Sequence, residues 1–189
     1  PYLSEPASNE SHPIILTNSL ETKRGGGVYY GIGNDGRNKI SFNISSGMTD
    51  KGWAFSILGS RDWGDGYVYG TAYESYSWFI NVAKRIGDNH SISLTATGAP
   101  QNHYKRYDKL TIAEWEKQKK VGIGAGYRYN ATYGFDDAGR EYYGTNRNYY
   151  HKPQISLNHI WDINYKSSLS STLYTSIGNG YGYRGVGSS

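Results

Sequence analysis

Hydrophobic and polar residues alternate in several separate stretches of this chain, and the alternation predicts β-strands. Between positions 91 and 97, hydroxyl side chains alternate with apolar ones, which places the two kinds on opposite faces of a strand. The members are Ser91, Ser93, Thr95 and Thr97 against Ile92, Leu94 and Ala96. Trp78, Ile80 and Val82 repeat the apolar face just before, and residues 87–89 have turn composition. The two strands therefore form a predicted hairpin.

The same pattern predicts further strands on both sides of this hairpin. Three precede it, at 28–33, 39–48 and 53–61, and two follow it, at 154–163 and around Leu169, Leu173 and Ile177. Short turns are expected at 34–36, 49–52 and 164–167, and one short strand at 13–17. About seven strands result, so the sequence predicts an all-β, antiparallel fold.

Two connections are much longer than the others. Residues 62–75 are predicted to be a loop, and residues 99–153 a long excursion with elements of its own. Thr111 and Glu114 have capping-box spacing, which predicts a surface helix over 112–120. Residues 121–129 are expected to extend a strand above the main sheet, residues 135–150 to form a loop, and the end of the chain to be a Gly–Tyr tail.

Short and long connections alternate along the chain, and this asymmetry is typical of transmembrane barrels, which have short turns at one end and long loops at the other. Ser, Thr and Asn would then line the lumen, and Trp53, Trp78 and Trp161 would lie near the membrane interfaces. The alternative is a soluble antiparallel sandwich. A sandwich usually does not lengthen its loops at one end only, so we favour the membrane barrel.

Composition restricts the partners. The 189 residues include 20 Tyr and 25 Gly but no Cys, so disulfides and thiolate chemistry are excluded, and the aromatic content is too high for a disordered chain. No run approaches the roughly 20 apolar residues of a membrane helix, and the first residues lack the apolar segment of a signal peptide. The net charge of +4 is spread along the chain, so we expect no nucleic acid partner.

Candidate catalytic and metal-binding residues are scarce. Asp62 and Asp65 do not match the spacing of a calcium loop, the five histidines have no zinc-binding spacing, and no serine lies in a nucleophile elbow. The Gly-rich segments at 25–27 and 122–126 lack the context of a phosphate-binding loop. We therefore expect no catalytic residue, no metal and no cofactor, and interpret the protein as a non-enzyme.

The aromatic residues of the two long loops are the candidate ligand-binding residues. Loops on a rigid scaffold are free to bind, aromatic rings offer flat surfaces for sugars or chelates, and arginines pair with anionic groups. The candidates are Trp63, Tyr67, Tyr69, Tyr127, Arg128, Tyr129, Arg140, Tyr142 and Tyr143. For those nearest strand ends, an equally good interpretation is an aromatic girdle at the membrane interface.

Three long stretches resemble the TonB-dependent outer-membrane receptors. They are residues 34–67 (NDGRNKISFNISSGMTDKGWAFSILGSRDWGDGY), 84–106 (KRIGDNHSISLTATGAPQNHYKR) and 149–164 (YYHKPQISLNHIWDIN). Residues 20–27 (LETKRGGG) resemble the exit from the plug domain into the first barrel strand. The resemblance implies a many-stranded barrel occluded by a plug, in the outer membrane of a Gram-negative bacterium.

By the same resemblance the activity is energised import of a scarce nutrient of the siderophore, oligosaccharide or peptide class. The implied partners are outer-membrane lipid, the protein's own plug domain, the TonB energy-coupling protein and a surface lipoprotein. Residues 1–24 would be the end of the plug or a linker, and residues 25–189 the N-terminal portion of the barrel.

Completeness and function leave further expectations. We find neither a full plug nor an energy-coupling motif in the sequence. The predicted number of strands, seven, is odd, whereas bacterial single-chain barrels have an even number of at least eight strands. We therefore expect an incomplete stretch that covers the plug exit and the early barrel strands. The alternative function is that of a soluble, aromatic-rich glycan-binding β-module, which would need no detergent.

Overall fold

A computed structural model describes residues 19–106, 110–118, 126–142 and 146–183, with the backbone alone for Gln118, Glu141, Tyr142 and Tyr183. Among these residues the fold is all-β and antiparallel, as the alternation predicts. The strands are β1 (Gly25–Ile32), β2 (Asn38–Ser45), β3 (Trp53–Gly64), β4 (Tyr73–Ile86), β5 (His90–Gly98), β6 (Gln101–Tyr104), β7 (Gly134–Phe135), β8 (Glu141–Tyr142), β9 (Arg147–His151), β10 (Gln154–Asn164), β11 (Ser167–Ser176) and β12 (Asn179–Tyr183).

Ten of these strands form one sheet. Its main path runs β1-β2-β3-β4-β5-β10-β11, and β1 and β11 are the ends of this path and are not paired with each other. Ile57 of β3 lies opposite Ile44 of β2 and Ile80 of β4, and Leu94 of β5 lies opposite Val82 of β4 and Leu157 of β10. The remaining pair, β7 and β8, forms a separate small hairpin.

The sheet continues beyond the main path at one end. There β6 pairs with the first residues of β4, β9 pairs with β6, and β12 pairs with β9. Pro100 and Pro153 lie at the breaks, where proline removes a ladder donor, and their carbonyls accept hydrogen bonds from the backbone N–H groups of Tyr76 and Ile177. The strands β5, β10 and β11 are thus each continued past an interruption.

The connections divide between the two ends of the sheet. At the turn end lie residues 46–52, 87–89 and 165–166, where Gly52 and Gly87 have φ values of 73° and 63°, which glycine adopts without strain. At the loop end lie residues 33–37, residues 65–72 and the described parts of the connection between β5 and β10, which are residues 99–106, 110–118, 126–142 and 146–153. The expected separation by length is confirmed only in part. The short 33–37 turn lies at the loop end, and residues 46–52 at the turn end form a connection nearly as long as residues 65–72.

One face of the sheet is apolar and exposed. Directly opposed residues share a face, and the register places the apolar positions of seven strands together as an apolar belt. Their exposed fractions run from 37% for Ile57 to 78% for Val28. The belt residues are Val28, Phe42, Ile44, Phe55, Ile57, Ile80, Val82, Leu94, Ile155, Leu157 and Leu173.

The opposite face is polar and better shielded. It carries Ser41, Asn43, Ser45, Ser56, Ser60, Ser77, Asn81, Ser93, Thr95, Ser156, Asn158 and Thr172, with Leu58, Phe79 and Ile160 as apolar exceptions. Ala54 and Ala83, the buried hydrophobic residues of the described chain, also lie on this face. Small side chains therefore fill the shielded side, whereas large apolar ones face outward.

Hydrogen bonds connect side chains across the polar face. The buried Asn81 donates to Thr95 Oγ1 at 2.8 Å and to the Leu94 carbonyl at 3.4 Å. Ser19, which is fully buried, donates to Ser56 Oγ at 2.9 Å, and Ser56 donates to Ser45 Oγ at 3.2 Å. The chain before β1 therefore contacts the polar face.

The long excursion contains the helix α1 (Ile112–Gln118) and a short 3-10 helix (Gly126–Arg128). Thr111 Oγ1 accepts from the Glu114 N–H at 3.3 Å while the Glu114 carboxylate accepts from the Thr111 N–H at 2.6 Å, so the predicted capping box is confirmed. No helix in the described ranges is long and apolar enough to cross a membrane.

Several predicted boundaries are wrong. The 62–75 loop is only 65–72, because β3 continues to Gly64 and β4 begins at Tyr73, with Asp62 paired opposite Ser75. Residues 126–128 of the predicted 121–129 strand are a 3-10 helix, and the predicted 135–150 loop contains β8 and most of β9. The predicted tail includes β12, because its backbone pairs with β9.

Other predictions lie outside the described residues. These are the 13–17 strand, most of the 1–24 plug segment, and residues 119–125 at the end of the predicted helix and in the predicted strand.

Candidate functional site

An ion pair between distant residues joins three connections at the loop end. In the 33–37 turn, Asp35 has a φ of 56°, a left-handed conformation that aspartate tolerates. Its carboxylate accepts from Arg128 Nη2 at 2.6 Å, and the Arg128 guanidinium lies 4.6 Å from the ring centroid of Tyr67. The hydrogen bond that Arg128 donates to Asp35 raises the pKa of Arg128 above its ordinary value. This cluster of Asp35, Arg128 and Tyr67 is called the loop clamp below.

Tyr69 adds backbone contacts beside the loop clamp. Its N–H donates to the Arg128 carbonyl at 2.9 Å, and its own carbonyl accepts from Asn130 Nδ2 at 2.8 Å. The Tyr69 ring stacks on Tyr133 at 5.6 Å between centroids. A Cβ on Gly70, whose φ is 68°, would lie 2.8 Å from the Tyr133 ring, so only glycine fits this contact. The 65–72 loop is therefore held firmly against the excursion.

A second arginine holds the other side of the excursion. Arg106 Nη1 donates to the carbonyls of Tyr127 and Tyr129 at 2.9 and 3.2 Å. The Arg106 guanidinium also lies 4.5 Å from the Trp115 ring centroid, and Trp115 meets the Tyr129 ring edge to face at 6.0 Å. The helix α1 is thus tied to residues 127–129.

The hairpin β7–β8 has its own turn chemistry. Asp136 accepts from the N–H groups of Ala138 and Arg140 at 3.0 and 2.8 Å and pairs with Arg140 Nε at 2.8 Å. The backbone N–H of Arg140 is the main cause that lowers the Asp136 pKa below its ordinary value. Arg140, 82% exposed, is the most accessible of the candidate arginines.

The structure brings only part of the predicted ligand site together. Tyr67, Tyr69 and Arg128 meet in and beside the loop clamp, and Tyr127 and Tyr129 lie beside Arg106. Arg140 lies in the separate hairpin. The side chain of Tyr142 and the whole of Tyr143 lie outside the described residues.

Trp63 is placed differently from the prediction. It belongs to β3 and shares the apolar face, opposite Glu74 and Asn38. The Arg61 guanidinium lies 4.3 Å from its ring centroid. Trp63 therefore lies on the sheet face of the apolar belt and not in the 65–72 loop.

Charged and aromatic residues border the apolar belt at the loop end. Arg61 Nε bonds Glu74 Oε1 at 2.7 Å, and the same oxygen accepts from the Tyr76 hydroxyl at 2.6 Å. Beyond them an open cavity of about 340 Å³ lies over β4, β6, β9 and β12. The sequence did not predict this cavity, because it is formed by the pairing of β6, β9 and β12, and these strands were not predicted.

A similar border lies at the turn end. Lys84 Nζ lies 4.9 Å from the Trp53 ring centroid. The His90 ring stacks on His159 at 5.3 Å and on Trp161 at 5.5 Å, with His90 Nδ1 3.1 Å from His159 Nε2. The apolar face thus has polar and aromatic residues at both ends.

Neither metal binding nor relatedness identifies the site. In the part of the chain that the structure describes, no three His, Asp or Glu side chains come close enough to hold a metal ion. Comparison with protein-family models, curated proteins and solved structures finds no match to this chain. The argument for function therefore depends on the geometry of the sheet.

Proposed function

We propose that this chain is part of a TonB-dependent receptor of the Gram-negative outer membrane, which imports a scarce nutrient. The observation that carries the proposal is the exposed apolar belt. Removing one such side chain from water contributes about 1.5–3 kcal/mol, and soluble proteins rarely expose large contiguous apolar patches. Lipid contact on this face supplies the burial that water does not.

The dimensions of the strands support the membrane location. A strand needs about 9–11 residues to cross a bilayer at a tilt near 45°, and β3, β4, β10 and β11 have 12, 14, 11 and 10 residues. Trp53 and Lys84 border the belt at one end, and Arg61, Trp63 and Tyr76 at the other. Aromatic girdles at both interfaces are typical of membrane barrels.

The polar face supports the presence of a plug. In the proposed barrel this face lines the lumen, and small polar side chains leave room for a domain inside. Ser19 already lies on it through the bond to Ser56, so the chain before β1 approaches from the luminal side. The proposed function therefore assigns the residues before β1 to the plug exit, as the resemblance implies.

The unpaired ends of the main path support a larger barrel. Among the described residues, β1 pairs with β2 alone and β11 with β10 alone. Open edges are avoided in membranes because each unpaired backbone group costs several kcal/mol there. Further strands of the same protein would complete the barrel, and we propose TonB and a surface lipoprotein as its partners.

The loop end is the proposed site of ligand capture. Tyr67 and Tyr127 are 54% and 65% exposed, and Arg140 is accessible for an anionic group. A siderophore, an oligosaccharide or a peptide presents rings, sugars or carboxylates that such residues bind.

Membrane fractionation of the intact protein tests the proposal. We expect the protein in the outer-membrane fraction, resistant to carbonate extraction and soluble only with detergent. A detergent-free, monodisperse protein in the soluble fraction would contradict the proposal and favour the soluble glycan-binding module.

A further inference from the structure

The cavity at the loop end opens on the apolar side of the sheet. Glu74, Asn102, Tyr149 and Tyr181 lie directly opposite one another on β4, β6, β9 and β12, so they share one face. Tyr76 continues this row on β4 toward Trp78 and Ile80, which belong to the apolar face. The cavity therefore lies on the side that faces lipid in the proposed barrel, immediately beyond the end of the belt.

The lining of the cavity combines one arginine with flat aromatic surfaces. Arg147 Nε donates to Asn102 Oδ1 at 2.6 Å, and the described residues provide no carboxylate partner for its guanidinium. Tyr149 and Tyr181 stack at 5.3 Å between centroids. Glu74 also lines the cavity, but Arg61 and the Tyr76 hydroxyl already bind its carboxylate.

We infer that this cavity binds the phosphorylated sugar head group of an outer-leaflet glycolipid whose acyl chains cover the apolar belt. A guanidinium matches phosphate geometry with two parallel N–H bonds. The tyrosine rings suit a sugar ring, and the Asn102 amide nitrogen is a donor for its hydroxyls. Cationic pockets at membrane interfaces bind lipid head groups in this manner.

The position of the cavity favours lipid over imported nutrient. A nutrient on its way to the lumen would meet the polar face or the loop tips, whereas this cavity opens on the other face. A lipid with its chains on Ile80 and Leu94 has its head group at this height because both groups lie along the same strands. The cavity volume of about 340 Å³ is that of a small ligand site.

The inference rests on the proposed outer-membrane location, and the experiment separates the two. The full-length protein is purified from outer membranes in detergent, and native mass spectrometry measures its occupancy by added lipid. The probes are an acylated, diphosphorylated glucosamine disaccharide and its dephosphorylated form. Arg147→Gln is compared with Arg147→Lys and with Arg85→Gln, a control on the polar face at the turn end.

We expect about tenfold weaker binding of the phosphorylated probe by Arg147→Gln, a smaller loss for Arg147→Lys, and none for Arg85→Gln. The native protein should also prefer the phosphorylated probe, a comparison that needs no variant. Equal binding of both probes, or no effect of Arg147→Gln, overturns the inference while leaving the proposed function intact. Absence of the protein from the outer membrane overturns both.

Discussion

Leu94 and Ser93 are neighbours in β5 but lie on opposite faces of the sheet. Leu94 is 49% exposed between Val82 and Leu157, whereas Ser93 lies between Ala83 and Asn158. Alternation along the strand was enough to separate them from the sequence. Alternation alone could not show which of the two would be more exposed, because exposure depends on how the whole sheet is covered. The membrane-barrel interpretation of the sequence put the apolar face outward, and the greater exposure of Leu94 agrees with it.

We predict that Leu94→Arg impairs assembly much more than Ser93→Arg. An arginine on the lipid face near the midplane costs about 2–4 kcal/mol, whereas the polar face lies toward the lumen. Assembly is measured as the folded, heat-resistant fraction on cold gel electrophoresis of outer membranes. Equal losses for the two variants would show that the faces are assigned to the wrong environments.

At the scale of the elements, strands with clear alternation were predictable and strands without it were not. β2, β3, β5 and β10 carry large apolar residues at alternate positions over part of their length. β6 (QNHY) and β12 (NGYGY) do not, and they form because neighbouring strands offer hydrogen-bonding edges. The end of β3 was mistaken for a loop because Gly and Asp dominate it, although Arg37 pairs with Asp62 at 2.8 Å.

The loop clamp was equally beyond local sequence patterns. Asp35 and Arg128 are 93 positions apart, and only the antiparallel topology brings their connections to one end. The aromatic and arginine content of the loops was informative about the kind of surface. It gave no information on which residues meet.

We predict that Arg128→Gln loosens the excursion between β5 and β10. The substitution removes the Asp35 ion pair and the contact with Tyr67, so protease added to intact cells should cut within 99–153 faster than in the native protein. The 49–52, 87–89 and 164–167 turns should stay protected, because in the proposed membrane orientation they face the periplasm and the long loops face outward. Arg140→Gln, which breaks only the local pair with Asp136, is the matched control.

An unchanged cleavage rate in Arg128→Gln, or the same increase in Arg140→Gln, would show that the loop clamp does not hold the excursion. Cleavage at the three turns alone would contradict the orientation itself.

The β7–β8 hairpin should respond to acid. The folded state lowers the Asp136 pKa below its ordinary value of 3.8, so the stabilisation is present above that value and is lost as the pH falls through the lowered pKa. We predict that the amides of Ala138 and Arg140 lose exchange protection at that acidic pH. Asp136→Ala should lose it already at pH 7, and Asp137→Ala should not. Protection that persists in Asp136→Ala would contradict the assignment.

At the scale of the whole molecule, the proposed function assigns membrane crossing to the sheet and ligand capture to the loop end. The two parts depend on different residues, since the belt and the loop tips share no side chain. Deleting residues 131–145 spares Asn130, Asn146 and all ten strands of the sheet. We predict that this deletion lowers uptake or surface binding of the ligand while the protein remains folded and heat-resistant in detergent.

The control variant replaces the turn residues 165–166 with Asn-Gly, because this turn lies at the other end of the sheet. If the 131–145 deletion leaves the uptake of every tested ligand unchanged, ligand capture lies elsewhere in the protein.

The central claim is that the apolar belt faces lipid and the polar face does not. The sequence contains no cysteine, so Leu157→Cys and Ser156→Cys each introduce a single site within it for a nitroxide spin label. Electron paramagnetic resonance power saturation in bilayers then compares collision with oxygen, which enters lipid, and with a water-soluble nickel chelate. We predict that the label at 157 collides mainly with oxygen and that the label at 156 does not. A label at 157 that is reached mainly by the nickel chelate would contradict the account.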